Sequence, residues 1–200
     1  MKDLTATTYK LDEMRRDIAA DQQAHAVTLT AFHRLFYSRR YTHGMTSYSG
    51  VPVLKNPMDL WIYQELLWDL RPTLVIETGT AYGGSALFFA DMLSRRDAGR
   101  VISIDIEPHT TLPEHPRLSY VTGSSTDPAI VAAVTQVAAS HPRVMVVLDS
   151  DHSSAHVQAE MDCYAALVTP GQFLVVEDTN IDQRPILDGW MGGHPGPGAA

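Results

Sequence analysis

The chain has 200 residues, 44% hydrophobic and 19% charged, enough for one well-buried domain and too few for two of ordinary size. A formal net charge of -8 argues against a nucleic-acid groove, which needs a basic footprint, and favours a neutral or cationic small molecule. The single cysteine, Cys163, excludes an internal disulfide framework, and no apolar run approaches the roughly 18 residues of a membrane span.

The opening Met1-Lys2-Asp3-Leu4-Thr5 lacks the apolar core of a leader, so a cytoplasmic location is expected. Over residues 9–40, Leu11, Met14, Ile18, Val27, Leu29, Phe32, Leu35 and Phe36 recur at helical spacing and predict one or two amphipathic helices. Residues 41–57 read as an irregular, lid-like loop. Asn56-Pro57 then opens a helix, with Asn as N-cap, Pro at the first position and Asp59 in the first turn; the helix stops before Pro72.

Apolar strands are expected at 73–78, 101–105, 118–121, 144–149 and 173–177, with helices at 85–95, 128–139 and 154–167 between most of them. Near-continuous apolar strands alternating with helices predict an α/β fold: a Rossmann-like, mostly parallel sheet covered on both faces. The organisation expected is one domain. A helical segment and loop (1–56) precede an α/β core (57–182), and a Gly/Pro-rich, loosely ordered tail (183–200) follows.

The most informative segment is Glu77-Thr78-Gly79-Thr80-Ala81-Tyr82-Gly83-Gly84-Ser85, where an apolar strand ends in an acid and passes through a glycine turn into a helix. Such a turn brings bare backbone up to a nucleotide-like ligand. The spacing is neither G-x-G-x-x-G nor a P-loop. The acid ahead of the first glycine suits a hydroxylated, cationic ligand better than a pyrophosphate, a description that S-adenosylmethionine meets. Asp105, 26 residues after Gly79 at the end of the next strand, stands where a ribose-binding acid belongs. Ser124 and Ser125 offer hydroxyls where an adenine edge could lie.

Four of the five expected strands end in acids: Glu77, Asp105, the group Asp149 and Asp151, and the pair Glu177-Asp178. One such acid is readily a helix cap, but four together repel unless a cation or ligand compensates them. Three or four carboxylates without a cysteine form a hard-oxygen site that suits Mg²⁺ or Ca²⁺ rather than Zn²⁺. His152, beside these acids, is a candidate base, with a structural role as the competing reading. His156 is read as packing or solvated.

These segments, together with Lys55-Asn56-Pro57-x-Asp59-Leu60-Trp61-x-Tyr63-Gln64-Glu65, resemble the cephalosporin hydroxylase/rhamnosyl O-methyltransferase family. Its members are class I S-adenosylmethionine-dependent O-methyltransferases. The resemblance implies S-adenosylmethionine near Glu77, Gly79, Ala81, Tyr82, Ser85 and Asp105, with its adenine near Ser124 and Ser125. It also implies a Mg²⁺ site on Glu177, Asp178 and one aspartate of the Asp149/Asp151 pair. The spacing favours Asp151 as ligand and leaves Asp149 nearer the reacting groups, while His152, or Asp149, would serve as base.

The function expected is Mg²⁺-dependent methylation of a carbohydrate or glycoside hydroxyl. A non-sugar natural product such as a β-lactam or macrolide is the alternative acceptor, and a non-catalytic small-molecule binding module the alternative class. Tyr41, Tyr48, Tyr63 and Trp61 are candidates for a wall that stacks on a sugar ring, against a plain core role. Class I sheets usually carry two further strands beyond the fifth, and an uncovered edge would leave room for a homo-oligomer.

Overall fold

The computed structural model describes residues 25–38, 43–107, 109–179 and 196–200. Five parallel strands, β3 (Leu74–Thr78), β4 (Arg100–Asp105), β5 (Leu118–Thr122), β6 (Val144–Leu148) and β7 (Leu174–Val176), form one sheet in the order β5-β4-β3-β6-β7. Each falls within a residue or two of its expected place, and all four pairings are parallel. A two-residue hairpin, β1 (Ser47–Tyr48) with β2 (Val51–Pro52), sits inside the segment expected to be wholly irregular. Its turn falls at Ser49-Gly50, both at positive φ, and strands this short carry no apolar alternation to read.

The helices are α1 (Ala26–Ser38), α2 (Pro57–Leu70), α3 (Gly84–Ser94), α4 (Pro128–Ala138) and α5 (Ser154–Tyr164). Side-chain caps start three of them. Asn56 accepts from the Met58 N–H at 3.0 Å, Asp127 from Ala129 at 2.7 Å, and the Ser153 hydroxyl from His156 at 3.4 Å. A 3-10 turn, Ala165–Leu167, takes up the end of the helix expected to reach 167. Residues 9–24 of the stretch expected to hold one or two helices, Tyr41, and most of the Gly/Pro tail lie outside the described residues. At the chain end, Pro197–Ala199 form a 3-10 turn with Pro197 buried.

Every residue of β3 and β6 is buried, which is why these strands read as apolar runs rather than as alternations. Side chains leave them to opposite faces. Val75, Met145 and Val147 pack with Phe88, Phe89 and Leu93 of α3 and with Tyr63 and Leu67 of α2. On the other face Leu74, Ile76, Val144, Val146 and Leu148 pack with Val134 and Ala138 of α4 and Tyr164 of α5.

Between β3 and β6 the strand order reverses, and ligands of open α/β sheets bind at such a switch point, beyond the carboxyl ends of the strands. Here those ends touch. Gly79 has φ +85°, donates its N–H to the Ile104 carbonyl at 2.7 Å, and carries no Cβ where one would lie 1.9 Å from the Asp149 carbonyl oxygen. Gly79→Ala therefore meets a backbone clash as well as the left-handed penalty of about 1–2 kcal/mol. Overpacking adds about 1–3 kcal/mol. Gly171 has nearly the same φ, +84°, in open space. Urea unfolding should show Gly79→Ala to be clearly more destabilised than Gly171→Ala; equal losses would mean that the approach of Gly79 to β6 is not a constraint.

Candidate active site

The carboxyl ends of the strands open into a cavity of about 610 Å³. Of the thirteen residues singled out as cofactor, metal or catalytic groups, eleven line it; Glu77 and Glu177 stand behind its wall. The glycine turn forms one side. Both oxygens of Asp105 are engaged in building that turn: Oδ2 accepts from the Thr80 N–H at 2.8 Å and the Ala81 N–H at 2.9 Å, and Oδ1 accepts from Glu107 at 3.0 Å. Burial alone would raise its pKa, but these backbone donors and His109 hold the carboxyl below the ordinary aspartate value. Asp105 thus does a structural job at the position expected for a ribose partner, and it remains in the cavity wall. Ala81 (φ 45°) and the exposed Tyr82 complete the turn into α3, where Ser85 lies buried at the floor.

Glu77 is fully buried. Ser103 donates to its Oε2 at 2.7 Å, and its Oε1 is a buried oxygen without a hydrogen-bond partner. Burial pushes its pKa up to about 7, against the pull of Lys55 and of the Ser85 and Ser103 hydroxyls. A carboxyl so placed, with one oxygen unsatisfied, ionises more readily when positive charge arrives at the base of the cavity.

The acidic loop after β6 divides its two aspartates. Asp149 points inward. Its Oδ2 accepts from the Lys55 ammonium at 2.5 Å, and the same ammonium donates to Glu177 Oε1 at 2.8 Å. Tyr63 donates to that Glu177 oxygen at 2.6 Å. Burial alone would discharge Lys55, but Asp149 and Glu177 raise its pKa well above the ordinary lysine value. Glu177 is shifted the other way: burial opposes ionisation, and Lys55 with Tyr63 overcomes it and lowers the pKa. Burial raises Asp149, to about 6, against the pull of Lys55, and Glu177 and Asp178 add to the rise.

Asp151 turns out of this group. Its Oδ1 accepts from the Ser153 N–H at 2.7 Å at the start of α5, and the residue is exposed. The groups brought together are instead Asp149, His152 and Asp178, whose ligand atoms all lie within 4.8 Å of one another, with His152 Nε2 3.2 Å from Asp178 Oδ2. The expected trio of Asp151, Glu177 and Asp178 is not assembled. Asp151 is spent on a helix start and Glu177 on a buried cation, while Asp149 and His152 stand beside Asp178.

Two features escaped the sequence reading. Lys55 lies 94 and 122 residues from its partners, and a lone lysine before a helix start gives no sign of burial. The second is a network on α5. Ser150 donates to the fully buried Glu160 at 2.6 Å, Glu160 lies 3.4 Å from His156 Nε2, and His156 Nε2 lies 3.3 Å from the Ser125 hydroxyl. The i, i+4 spacing of His156 and Glu160 was the available signal. The proposed stacking wall is mostly core or surface. Tyr48 packs edge-on against Phe88 and donates to Asp91, Tyr63 packs against Phe89, and Trp61 is 66% exposed with its indole N–H on Glu65.

A parallel sheet with its strand-end acids gathered around a glycine turn at the switch point is the architecture of a class I methyltransferase. The family model for rhamnosyl O-methyltransferase/CmcI matches residues 39–199, and the chain belongs to that family. It is 39% identical over 173 residues to the rhamnosyl O-methyltransferase of Mycobacterium tuberculosis, covering 83% of this chain and 68% of the relative. A solved apo-structure of CmcI superposes with a TM-score of 0.56 at 21% identity, over 67% of this chain and 57% of that one. CmcI with Mg-SAM superposes with a TM-score of 0.54 at 20% identity, over 66% and 57%. The chain therefore spans a little over half the length of the CmcI structures.

The buried glutamate gives a pH signature. Folded Glu77 holds its proton up to about pH 7, against 4.5 for an ordinary glutamate. Its contribution to stability is thus fully present below the unfolded pKa and is lost as pH rises through the folded one. Without ligand, the urea midpoint of the native chain should fall between pH 5 and 8 more steeply than that of Glu77→Gln. The curves should diverge by about 1–3 kcal/mol at ~1.4 kcal/mol per pKa unit. Parallel curves would show that Glu77 does not carry the shift.

Proposed function

We propose that the chain transfers a methyl group from S-adenosylmethionine to a hydroxyl of a carbohydrate or glycoside, with Mg²⁺ as the metal. The observation that carries this reading is one cavity whose wall combines two chemically different sets of groups. The glycine turn, Asp105, Ser124 and Ser125 form one set, and Asp149, His152 and Asp178 the other. Family membership adds the reaction class, and the name of the Mycobacterium tuberculosis relative suggests a sugar acceptor.

The residues fit both groups. The buried, unsatisfied Glu77 behind the turn favours a cationic ligand over a phosphate-bearing one. Asp149 and Asp178 offer hard carboxylate oxygens on the same side of the cavity. Mg²⁺ held there supplies Lewis acidity that makes an alcohol a better nucleophile near neutral pH.

The chain's own residues do the rest. His152 takes the hydroxyl proton, and with its Nε2 3.2 Å from Asp178 Oδ2 the new imidazolium forms beside an anion. Lys55 fixes Asp149 and Glu177 from behind and keeps two strand-end carboxylates from repelling each other into solvent. The rigid strand ends hold donor and acceptor in line, which supplies much of the acceleration in a displacement of this kind. The net charge of -8 suits an uncharged acceptor better than a phosphorylated one.

The test is S-adenosylhomocysteine release across a panel of neutral glycosides, with His152→Ala alongside. The native enzyme should turn over at least one acceptor. The variant should bind S-adenosylhomocysteine normally by calorimetry and lose about 10²–10⁴-fold in rate. No release from any hydroxylated acceptor would overturn the proposal, and unchanged turnover by the variant would remove His152 as the base.

A further inference from the structure

The network between α5 and the loop after β5 takes no part in the chemistry described above, yet it grips one wall of the cavity. Ser125 follows β5, is buried, and borders the cavity. α5 holds it at two points. The buried Tyr164 donates its hydroxyl to the Ser125 carbonyl at 2.6 Å, and the Ser125 hydroxyl lies 3.3 Å from His156 Nε2. That same nitrogen lies 3.4 Å from Oε1 of Glu160, one turn further along the helix. Glu160 is fully buried. Ser150, between Asp149 and Asp151, donates to its Oε1 at 2.6 Å, and its Oε2 is buried without a hydrogen-bond partner.

The direction of these bonds follows from where protons can sit. A carboxylate accepts and does not donate. A neutral imidazole has one N–H and one bare nitrogen, and the bare nitrogen facing a carboxylate oxygen would set lone pair against lone pair. Nε2 of His156 therefore carries a proton. With Nε2 as donor, the Ser125 hydroxyl accepts on that side and its own hydrogen is left for another partner. Among the described residues that hydroxyl bonds to His156 alone. Ser124 differs, because its hydroxyl is taken up locally, 3.1 Å from Thr126 Oγ1 and 3.4 Å from the Thr126 N–H.

We infer that Glu160 and His156 are positioning residues that fix Ser125 as a hydrogen-bond donor into the cavity, and that its partner is an acceptor ring nitrogen of the purine of S-adenosylmethionine. The inference rests on the methyl-transfer reading above, which brings a nucleoside to this wall. A free serine hydroxyl rotates to meet donor or acceptor alike. The buried glutamate makes this one directional. A purine with C–H in place of that nitrogen leaves the Ser125 hydrogen unpaired in a buried site, the costly kind of mismatch.

The experiment is calorimetric binding of S-adenosylhomocysteine and its 1-deaza, 3-deaza and 7-deaza analogues to the full-length chain. Each analogue replaces one ring nitrogen by C–H. One of them should bind roughly tenfold or more weakly than the parent. Glu160→Leu removes the acceptor and lets Ser125 donate to Nε2 instead, so that gap should close. Glu160→Gln keeps an acceptor oxygen and should keep the gap. Each gap compares two ligands on one protein, so a general loosening of the fold weakens both and leaves it unchanged. Ser125→Ala should close the gap as well, and ring ¹⁵N shifts of His156 in the native chain should show a protonated Nε2; both tests stand if Glu160→Leu does not fold.

Equal binding of all three analogues, gaps that all survive Glu160→Leu or Ser125→Ala, or a bare Nε2 in the native chain would overturn the inference. Its failure and that of the methyl-transfer reading look different. Tight parent binding and turnover without such a gap leave methyl transfer standing and remove the role of Glu160. No binding of the parent or of any analogue removes both.

Discussion

Lys55 is the constraint on which the site depends. Its ammonium is buried between Asp149 at the end of β6 and Glu177 at the end of β7, and the bonds to both are short. A lysine in that position would be neutral without its partners, and the two carboxylates would not stay close without it. Tyr63 adds a third bond to the same Glu177 oxygen. The result ties α2 to two adjacent strand ends. Two of the inward acids are spoken for, and Asp178, with His152, faces the cavity less fully compensated.

This arrangement explains why the acids do not act as one cluster. Glu77 is buried and half satisfied, Asp105 braces the glycine turn, Asp151 starts α5, and Glu177 belongs to Lys55. The carboxylates proposed for a hard cation are Asp149 and Asp178, with His152 beside them. The family of rhamnosyl O-methyltransferases and CmcI, to which the chain belongs, gives that group its chemical setting.

Much of the fold was readable because its signals are local. Apolar runs of five or six residues marked the buried strands, Asn56-Pro57 and Asp127-Pro128 marked helix starts, and the glycines at 79, 83 and 84 marked the switch point. The site was readable as a set of positions and only partly as a set of roles. Asp149 and Asp151 are two residues apart, and sequence could not tell which carboxylate a following serine amide would capture. Tyr63 reads as a stacking or core aromatic, because helix spacing does not reveal that Glu177 lies opposite its hydroxyl. Lys55 was unreadable for the same reason: its importance is entirely in contacts with distant strands.

The proposed cation site rests on Asp178 beside Asp149, with Asp151 turned away from it. Mn²⁺ binding followed by electron paramagnetic resonance tests it most directly, with the native chain compared against Asp178→Asn and Asp151→Asn. One site per chain is expected, weakened at least tenfold by Asp178→Asn and kept by Asp151→Asn. Loss of the site in Asp151→Asn, with Asp178→Asn still binding, would contradict it.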